Sequence, residues 1–348
     1  MHPYLSRFLI VIGCLSLVAC SREETFHWAL QSHATETSFD YQELVKMTDN
    51  IRLMSQGRLD ITPHYAGQIT GGADIYSAVK DRRVEMGNGW PNWWSGYHPA
   101  WAVMNAGPYE FMNIDASLMF FLNGGGTELA NELSGRDGIL WRPAWWPGME
   151  FGLLSSTPIL GLKDLAGKRV RMGPGLPSEV LASASGAAAI PLVPEEIKPA
   201  LTSGDLDAVE WTTTAGAWDL GLSELATHAI IPAVWQPSVL ADFLINETAY
   251  NELPPDLQAI LMTAIRSFTL TTTALGKSKD IEALEKFRAA NTSIVRWSNE
   301  DLAVWKSTSD NIYRIYADRD EYSRRLIESK HAFKQRYNDY YQLFGPYD

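Results

Sequence analysis

The chain has 348 residues and a formal net charge of −12, with 46% hydrophobic and 20% charged residues. An acidic balance of this size argues against nucleic acid or an anionic membrane surface as partner. The length suits two domains of roughly 100–200 residues, each with a hydrophobic core of its own.

An export signal comes first. Arg7 precedes an apolar run over residues 8–18, too short to span a bilayer, which closes on Leu17-Val18-Ala19-Cys20. These four residues resemble a bacterial lipobox, in which Cys20 is lipidated and becomes the first mature residue. An ordinary cleaved signal with a chance cysteine is the alternative. Either way the chain leaves the cytoplasm, and the periplasm is its expected location. Cys14 and Cys20 are the only cysteines, so the mature chain has no disulfide although its compartment permits one. No later stretch approaches the roughly 20 apolar residues of a transmembrane helix.

Residues 26–30 read as a strand, followed by a helix that starts at Thr37-Ser38 and carries Leu44, Val45, Thr48, Ile51 and Met54 at helical spacing. A strand over 59–62, a short helix over 73–79 and a strand over 84–87 complete a β-α-β-α-β alternation, the mark of an α/β domain. The alternation restarts with strands over 168–172, 188–192 and 208–211, separated by helices over 177–185 and 195–203 that close on Gly186 and Gly204. Two α/β units joined by extended crossings at 141–156 and 238–246 imply two lobes. After Pro254-Pro255 the chain turns helical, with one apolar stripe through Leu257, Leu261, Ile265 and Phe268 and another through Ile281, Leu284 and Phe287. The expected division is 1–20 signal, 25–150 with 238–290 lobe I, 151–237 lobe II, and 291–348 a helical tail. The tyrosines of that tail pack either on the protein's own helices or on a second copy in a homodimer.

The chain shows no catalytic motif. It has no Gly-x-Ser-x-Gly elbow, no His followed by Glu, and no phosphate-binding P-loop around Gly167-Lys168. Gly124-Gly125-Gly126 reads as a turn or helix start. The histidines are scattered singly, and Glu110, Glu179 and Asp219 read as caps or solvated faces. The informative stretch is Gly167-Lys168-Arg169-Val170-Arg171-Met172-Gly173-Pro174-Gly175. Arg171 falls at the carboxyl end of a strand, where α/β sheets bind ligands, and the glycines after it leave room beside its guanidinium. There it either clamps a carboxylate through two parallel hydrogen bonds or makes a structural salt bridge.

Here a resemblance becomes specific. Residues 167–211 resemble the solute-binding subunits of TRAP transporters, the DctP-type family. The match runs through Gly-Lys-Arg-Val-Arg-Met, Pro-Ser-Glu-Val-Leu, Glu196-Ile197 and the run from Ala200 through Gly204-Asp205 and Asp207-Ala208 to Glu210-Trp211. Val84-Glu85-Met86-Gly87, Trp93-Trp94, His98-Pro99-Ala100 and Ile245-Asn246 extend it over nearly the whole mature chain. The branch that binds 2-oxo acids and related monocarboxylates is the most similar, since it too has Glu-Trp where many dicarboxylate binders have Glu-Asn.

The resemblance implies an α/β fold of the two-lobe periplasmic-binding-protein (Venus-flytrap) type, with hinge strands and a long lobe-spanning helix. Arg171 matches the arginine that fixes the substrate carboxylate. Glu210 and the backbone of Trp211 match positions holding a metal ion, and the third ligand position, Gln in that branch, falls on Glu150. That departure favours calcium over sodium as the bridging ion. Trp93 and Trp94 match an aromatic pair expected at the cleft, with Trp90 evenly balanced between cleft and core. Trp145 and Trp146 line the cleft or pack the hinge, and Trp235 closes the pocket from the hinge side. The implied function is capture of a small organic acid for a TRAP permease in the membrane. The rival readings are an exported metal-dependent enzyme acting on carboxylates through Glu150 and Glu210, and a sensory receptor.

Overall fold

The computed structural model describes residues 24–105, 107–237 and 239–345; the export segment, with Cys14 and the lipidation candidate Cys20, lies outside them. The first sheet has the order β2-β1-β3-β10-β4, formed by β1 (Phe26–Ser32), β2 (Leu59–His64), β3 (Met86–Gly89), β4 (Ile139–Gly148) and β10 (Val239–Asn246). β1 runs parallel to β2 and β3, and β10 lies antiparallel between β3 and β4. Every residue of β10 is buried, which is why it reads as a near-continuous apolar run. Glycines on the neighbouring strand make close packing possible. A Cβ at Gly87 would lie 2.5 Å from Ile75, and one at Gly89 2.6 Å from Trp94, so a helix and an indole rest directly on the strand.

The second sheet has the order β11-β9-β5-β8-β6-β7, from β5 (Leu153–Ser155), β6 (Arg169–Arg171), β7 (Ala188–Ile190), β8 (Ala208–Val209), β9 (His228–Ile231) and β11 (Ser293–Arg296). β6 is parallel to β7 and β8, whereas β5 is antiparallel to β8 and β9. The chain therefore crosses between the sheets after β4, after β9 and again before β11, and the fold is a two-lobed α/β architecture. Residues 291–348, read from the sequence as helical, begin with β11. It pairs with β9 and only then gives way to the helices Asn299–Arg319 and Glu321–Phe344.

The two apolar stripes after Pro254 form one helix, Pro255–Ala289, with Pro255 in its first turn where no N–H is needed. Its Leu257, Leu261, Ile265 and Phe268 pack in the core of the first lobe. Further along, Phe287 meets Phe151 and Trp218 in the core of the second, and Asp280 accepts the Ala215 N–H at 2.9 Å. The helix thus spans both lobes. The final two helices divide their contacts: Asn299–Arg319 packs on Leu176–Ser185 of the second lobe, and Glu321–Phe344 on Ala100–Met104 and Ile114–Asn123 of the first. No helix among the described residues is long and apolar enough to cross a membrane.

Candidate functional site

Arg171 ends β6, and Glu210 follows β8, the parallel neighbour of β6, so both stand at carboxyl ends of adjacent strands. The Glu210 N–H donates to the Arg171 carbonyl at 2.9 Å, which fixes the two backbones together. Arg171 Nη1 donates to the Glu210 carbonyl at 2.9 Å and to its Oε2 at 3.2 Å, and Nε donates to the Leu192 carbonyl at 3.2 Å. The guanidinium lies 4.6 Å from the ring centroid of Trp211, a cation–π contact. Nη2 has no hydrogen-bond partner among the described residues. A guanidinium so oriented offers that nitrogen to an incoming carboxylate.

Two more residues come from the crossings between the sheets. Glu150 lies between β4 and β5, and Gln236 between β9 and β10. Gln236 Nε2 donates to Glu150 Oε2 at 3.0 Å and also to Glu210 Oε1, so a single amide bridges the two carboxylates. Glu150 is only 4% exposed and Glu210 likewise 4%. Burial, and then the neighbouring Glu210 charge, push the Glu150 carboxyl well above the usual carboxylate range. Burial lowers the proton affinity of Arg171, and the two glutamates oppose this. Two buried carboxylates against one guanidinium leave surplus negative charge, which a low-dielectric site tolerates only with a proton or a cation.

The sequence-predicted residues divide accordingly. Arg171, Glu150, Glu210 and Trp211 come together. Trp94 does not join them: it is fully buried, and its indole N–H donates to Asp242 Oδ2 at 2.9 Å alongside that of Trp141 at 2.8 Å. Trp93, half-buried, covers Gly72, where a Cβ would lie 2.3 Å from its ring. Trp235 is also fully buried, packed 5.0 Å from Trp305 and 6.1 Å from Trp297 between ring centroids. It backs the crossing, and its neighbour Gln236 reaches the cluster. Trp146 spends its indole N–H on Ser117, and Trp145 packs against Phe39 and Trp90. Sequence reasoning missed Gln236 and Asn92. Asn92 follows β3 in the first lobe and donates from Nδ2 to the carbonyl of Pro174 at 2.8 Å, in the turn that follows Arg171. The only signal for each was a lone amide beside a tryptophan at a strand end or crossing. Glu110, read as a cap or solvated face, is instead buried in an ion pair with Lys330 at 2.7 Å.

Among the described residues no three His, Cys, Asp or Glu side chains gather in metal-binding geometry. A cation at this site would draw on the two carboxylates and on amide, carbonyl or ligand oxygens. That donor set suits a hard ion such as calcium or sodium, and the raised proton affinity of Glu150 shows that the pair already calls for positive charge.

Comparison with known proteins places the molecule. The chain is 26% identical over 336 residues to a monocarboxylate 2-oxoacid-binding periplasmic protein of Nostoc, covering 94% of this chain and 92% of that one. A TRAP periplasmic solute-binding protein from Pseudoalteromonas atlantica, solved with sodium and pyruvate, superposes with a TM-score of 0.86 at 23% identity over 92% of this chain and 97% of that one. One from Colwellia psychrerythraea, solved with calcium and pyruvate, gives 0.87 at 22% identity over the same shares. These structures share the two-lobe fold. The model of the bacterial extracellular solute-binding proteins of family 7, DctP, matches residues 30–320, and the chain belongs to that family.

Proposed function

We propose that this protein is the periplasmic receptor of a TRAP transporter, which captures a 2-oxo acid or another small monocarboxylate and hands it to a membrane permease. In this reading residues 25–150 with 238–290 form lobe I, residues 151–237 form lobe II, and the ligand is held where the two crossings meet. The supporting observation is the cluster itself: Arg171 is 7% exposed, with one terminal nitrogen uncommitted, beside a carboxylate pair in charge surplus. Arg171 would bind the ligand carboxylate. Glu150, Glu210 and the Trp211 carbonyl would hold a cation that bridges to the ligand, supplying electrostatic neutralisation. With a ligand carboxylate and both glutamates ionised, a divalent ion balances the site. With Glu150 protonated, a monovalent ion suffices. Calcium is the preferred ion, because oxygen-only ligands and two carboxylates suit it. In this reading the function is binding, with no bond broken, as in the solute-binding family to which the chain belongs. The relatives named for 2-oxo acids and solved with pyruvate support the ligand class. Lipid on Cys20 would tether the receptor beside its permease; stable anchoring takes more than one acyl chain, as a bacterial lipoprotein carries.

The test is a thermal-shift screen of the processed protein against organic acids, with calcium, with sodium and with a chelator. A ligand that binds only the folded state raises Tm. A rise with pyruvate or another 2-oxo acid that depends on an added ion is the expected result. No rise with any monocarboxylate would overturn the ligand class, and a full rise in chelator would remove the ion from the site. Mass analysis of the recovered acid should show it unchanged.

A further inference from the structure

The last helix, Glu321–Phe344, lies beyond residues 30–320 that the family model matches, yet it sends one charged side chain into the centre of the molecule. Lys330 is 0% exposed. Its ammonium donates to the carbonyls of Val103 at 2.5 Å, Met104 at 3.2 Å and Asn105 at 3.0 Å, and to Glu110 Oε2 at 2.7 Å. Three consecutive carbonyls converging on one cation is a helix C-terminus capped from another element, here the end of Ala100–Met104. The segment after that helix is thereby fixed in place.

The fixed segment leads to the cleft. Asn105 donates from Nδ2 to Asn92 Oδ1 at 2.7 Å, and its Oδ1 accepts the N–H of Leu240, in the crossing strand β10, at 3.0 Å. Asn92 in turn spans the gap between lobes, from Nδ2 to the carbonyl of Pro174 at 2.8 Å. The adjoining Gly173 N–H points at Glu210 Oε2 from 3.4 Å. Because Oδ1 of Asn92 is held by Asn105, its amide cannot turn over, and only its Nδ2 faces the second lobe. A Cβ on Gly175 would lie 3.4 Å from Asn92 Cβ, so the second lobe meets Asn92 through a glycine turn.

We propose that Lys330, Asn105 and Asn92 form a latch that sets the closed position of the lobes, with Lys330 and Asn105 as positioning residues that act through Asn92. The last helix is then a strap that tunes how readily the cleft shuts on its ligand. This use of the latch rests on the cleft being the ligand site, but the latch itself is read without ligand.

The experiment measures the distance between spin labels on exposed residues of the two lobes, D81C and S183C. Cys14 is removed with the export segment and Cys20 is left out by starting the chain at Ser21, so these labels report alone. Losing one hydrogen bond of closure should shift the open-to-closed ratio about fivefold. Asn92→Ala, Asn105→Ala and the charge-neutral pair K330M/E110Q should each produce that shift. Asn105→Ala or K330M/E110Q combined with Asn92→Ala should add nothing further. Wild-type distances in a folded Asn105→Ala, effects that add to Asn92→Ala, or a wild type with no short-distance population would each overturn the proposal. Asn105→Ala removes the middle link without disturbing a buried charge, so it decides the matter even if K330M/E110Q fails to fold. Pyruvate with calcium is then added: variants that bind about fivefold more weakly support the strap, and unaltered affinity overturns its role in capture. If pyruvate moves no label distance even in the wild type, the ligand reading fails while the ligand-free distances still test the latch.

Discussion

Lys330 with Glu110 and Arg171 with Glu210 are both ion pairs shut away from solvent, with side chains 0%/0% and 8%/5% exposed. They differ in what surrounds them. Every hydrogen of the Lys330 ammonium has an acceptor, and Glu110 also receives the Gly107 N–H at 3.1 Å and the Tyr313 hydroxyl at 3.4 Å. One charge meets one charge and nothing is left over. Around Arg171 a second carboxylate, Glu150, tips the balance negative, and a guanidinium nitrogen is unspent. Burial of charge therefore does not mark a binding site. What sets the Arg171 cluster apart is imbalance beside an uncommitted donor, which a proton, an ion or a ligand would complete.

The comparison can be broken first at the balanced pair. Lys330→Met strands Glu110 in the core, and removing one partner of a buried pair costs roughly 3–5 kcal/mol. Urea unfolding should show that loss, and E110Q in the same chain should recover most of it. A loss under about 1 kcal/mol would mean that the pair adds little to the stability of the fold. The corresponding change at the unbalanced cluster should act on binding. Arg171→Ala is expected to weaken carboxylate affinity by roughly 2–5 kcal/mol, about thirtyfold to several thousandfold, in calorimetry with calcium present. Arg171→Lys should also bind poorly, since an ammonium cannot keep the contacts to Glu210 and Leu192 and still present a further planar N–H to the ligand. Near-normal affinity in either variant would make Arg171 structural.

A subtler change sharpens the contrast. Glu150→Gln removes the surplus charge while keeping the side chain's size, so the ligand-free protein should melt a few degrees higher. Calcium affinity should fall roughly tenfold, and sodium should become as effective as calcium in supporting binding. A lower Tm without ligand would show that Glu150 is already neutralised and that the surplus is only formal.

The sequence reveals some of these features better than others. Local periodicity marks β1, β6 and the helix Phe39–Met54, while the helices over residues 100–134 escape it; strand alternation with the Gly-Pro-Gly turn brings Arg171 forward. The antiparallel insertion of β10 between β3 and β4 is invisible to local pattern, since its partners lie about 100 residues or more away. An aromatic after a strand end looks the same in core or cleft. Trp94 is decided by Asp242, which takes its indole N–H across 148 positions of sequence. Trp235 and Gln236 are adjacent, and only the direction of the turn decides which side chain enters the site. Glu110 reads as solvated because its cation lies 220 residues on.

A third buried charge, Asp242 in the centre of β10, separates pH effects on the core from those on the site. Its Oδ2 accepts two indole N–H groups while Oδ1 has no partner. Burial outweighs those donors and raises its carboxyl from 3.8 to about 7. The folded state therefore holds a proton that the unfolded chain has released above pH 4. Stability drawn from that proton is fully present below the unfolded value and is lost as pH rises through about 7. The slope for one such group is at most about 1.4 kcal/mol per pH unit, and it flattens above pH 7. Asp242→Asn imitates the protonated acid, so its Tm should fall less than that of the wild type between pH 5 and pH 7, and the two should run parallel at higher pH. Matching pH profiles throughout would mean that the two tryptophans hold Asp242 ionised, and that the apolar centre of the first lobe carries a permanent charge.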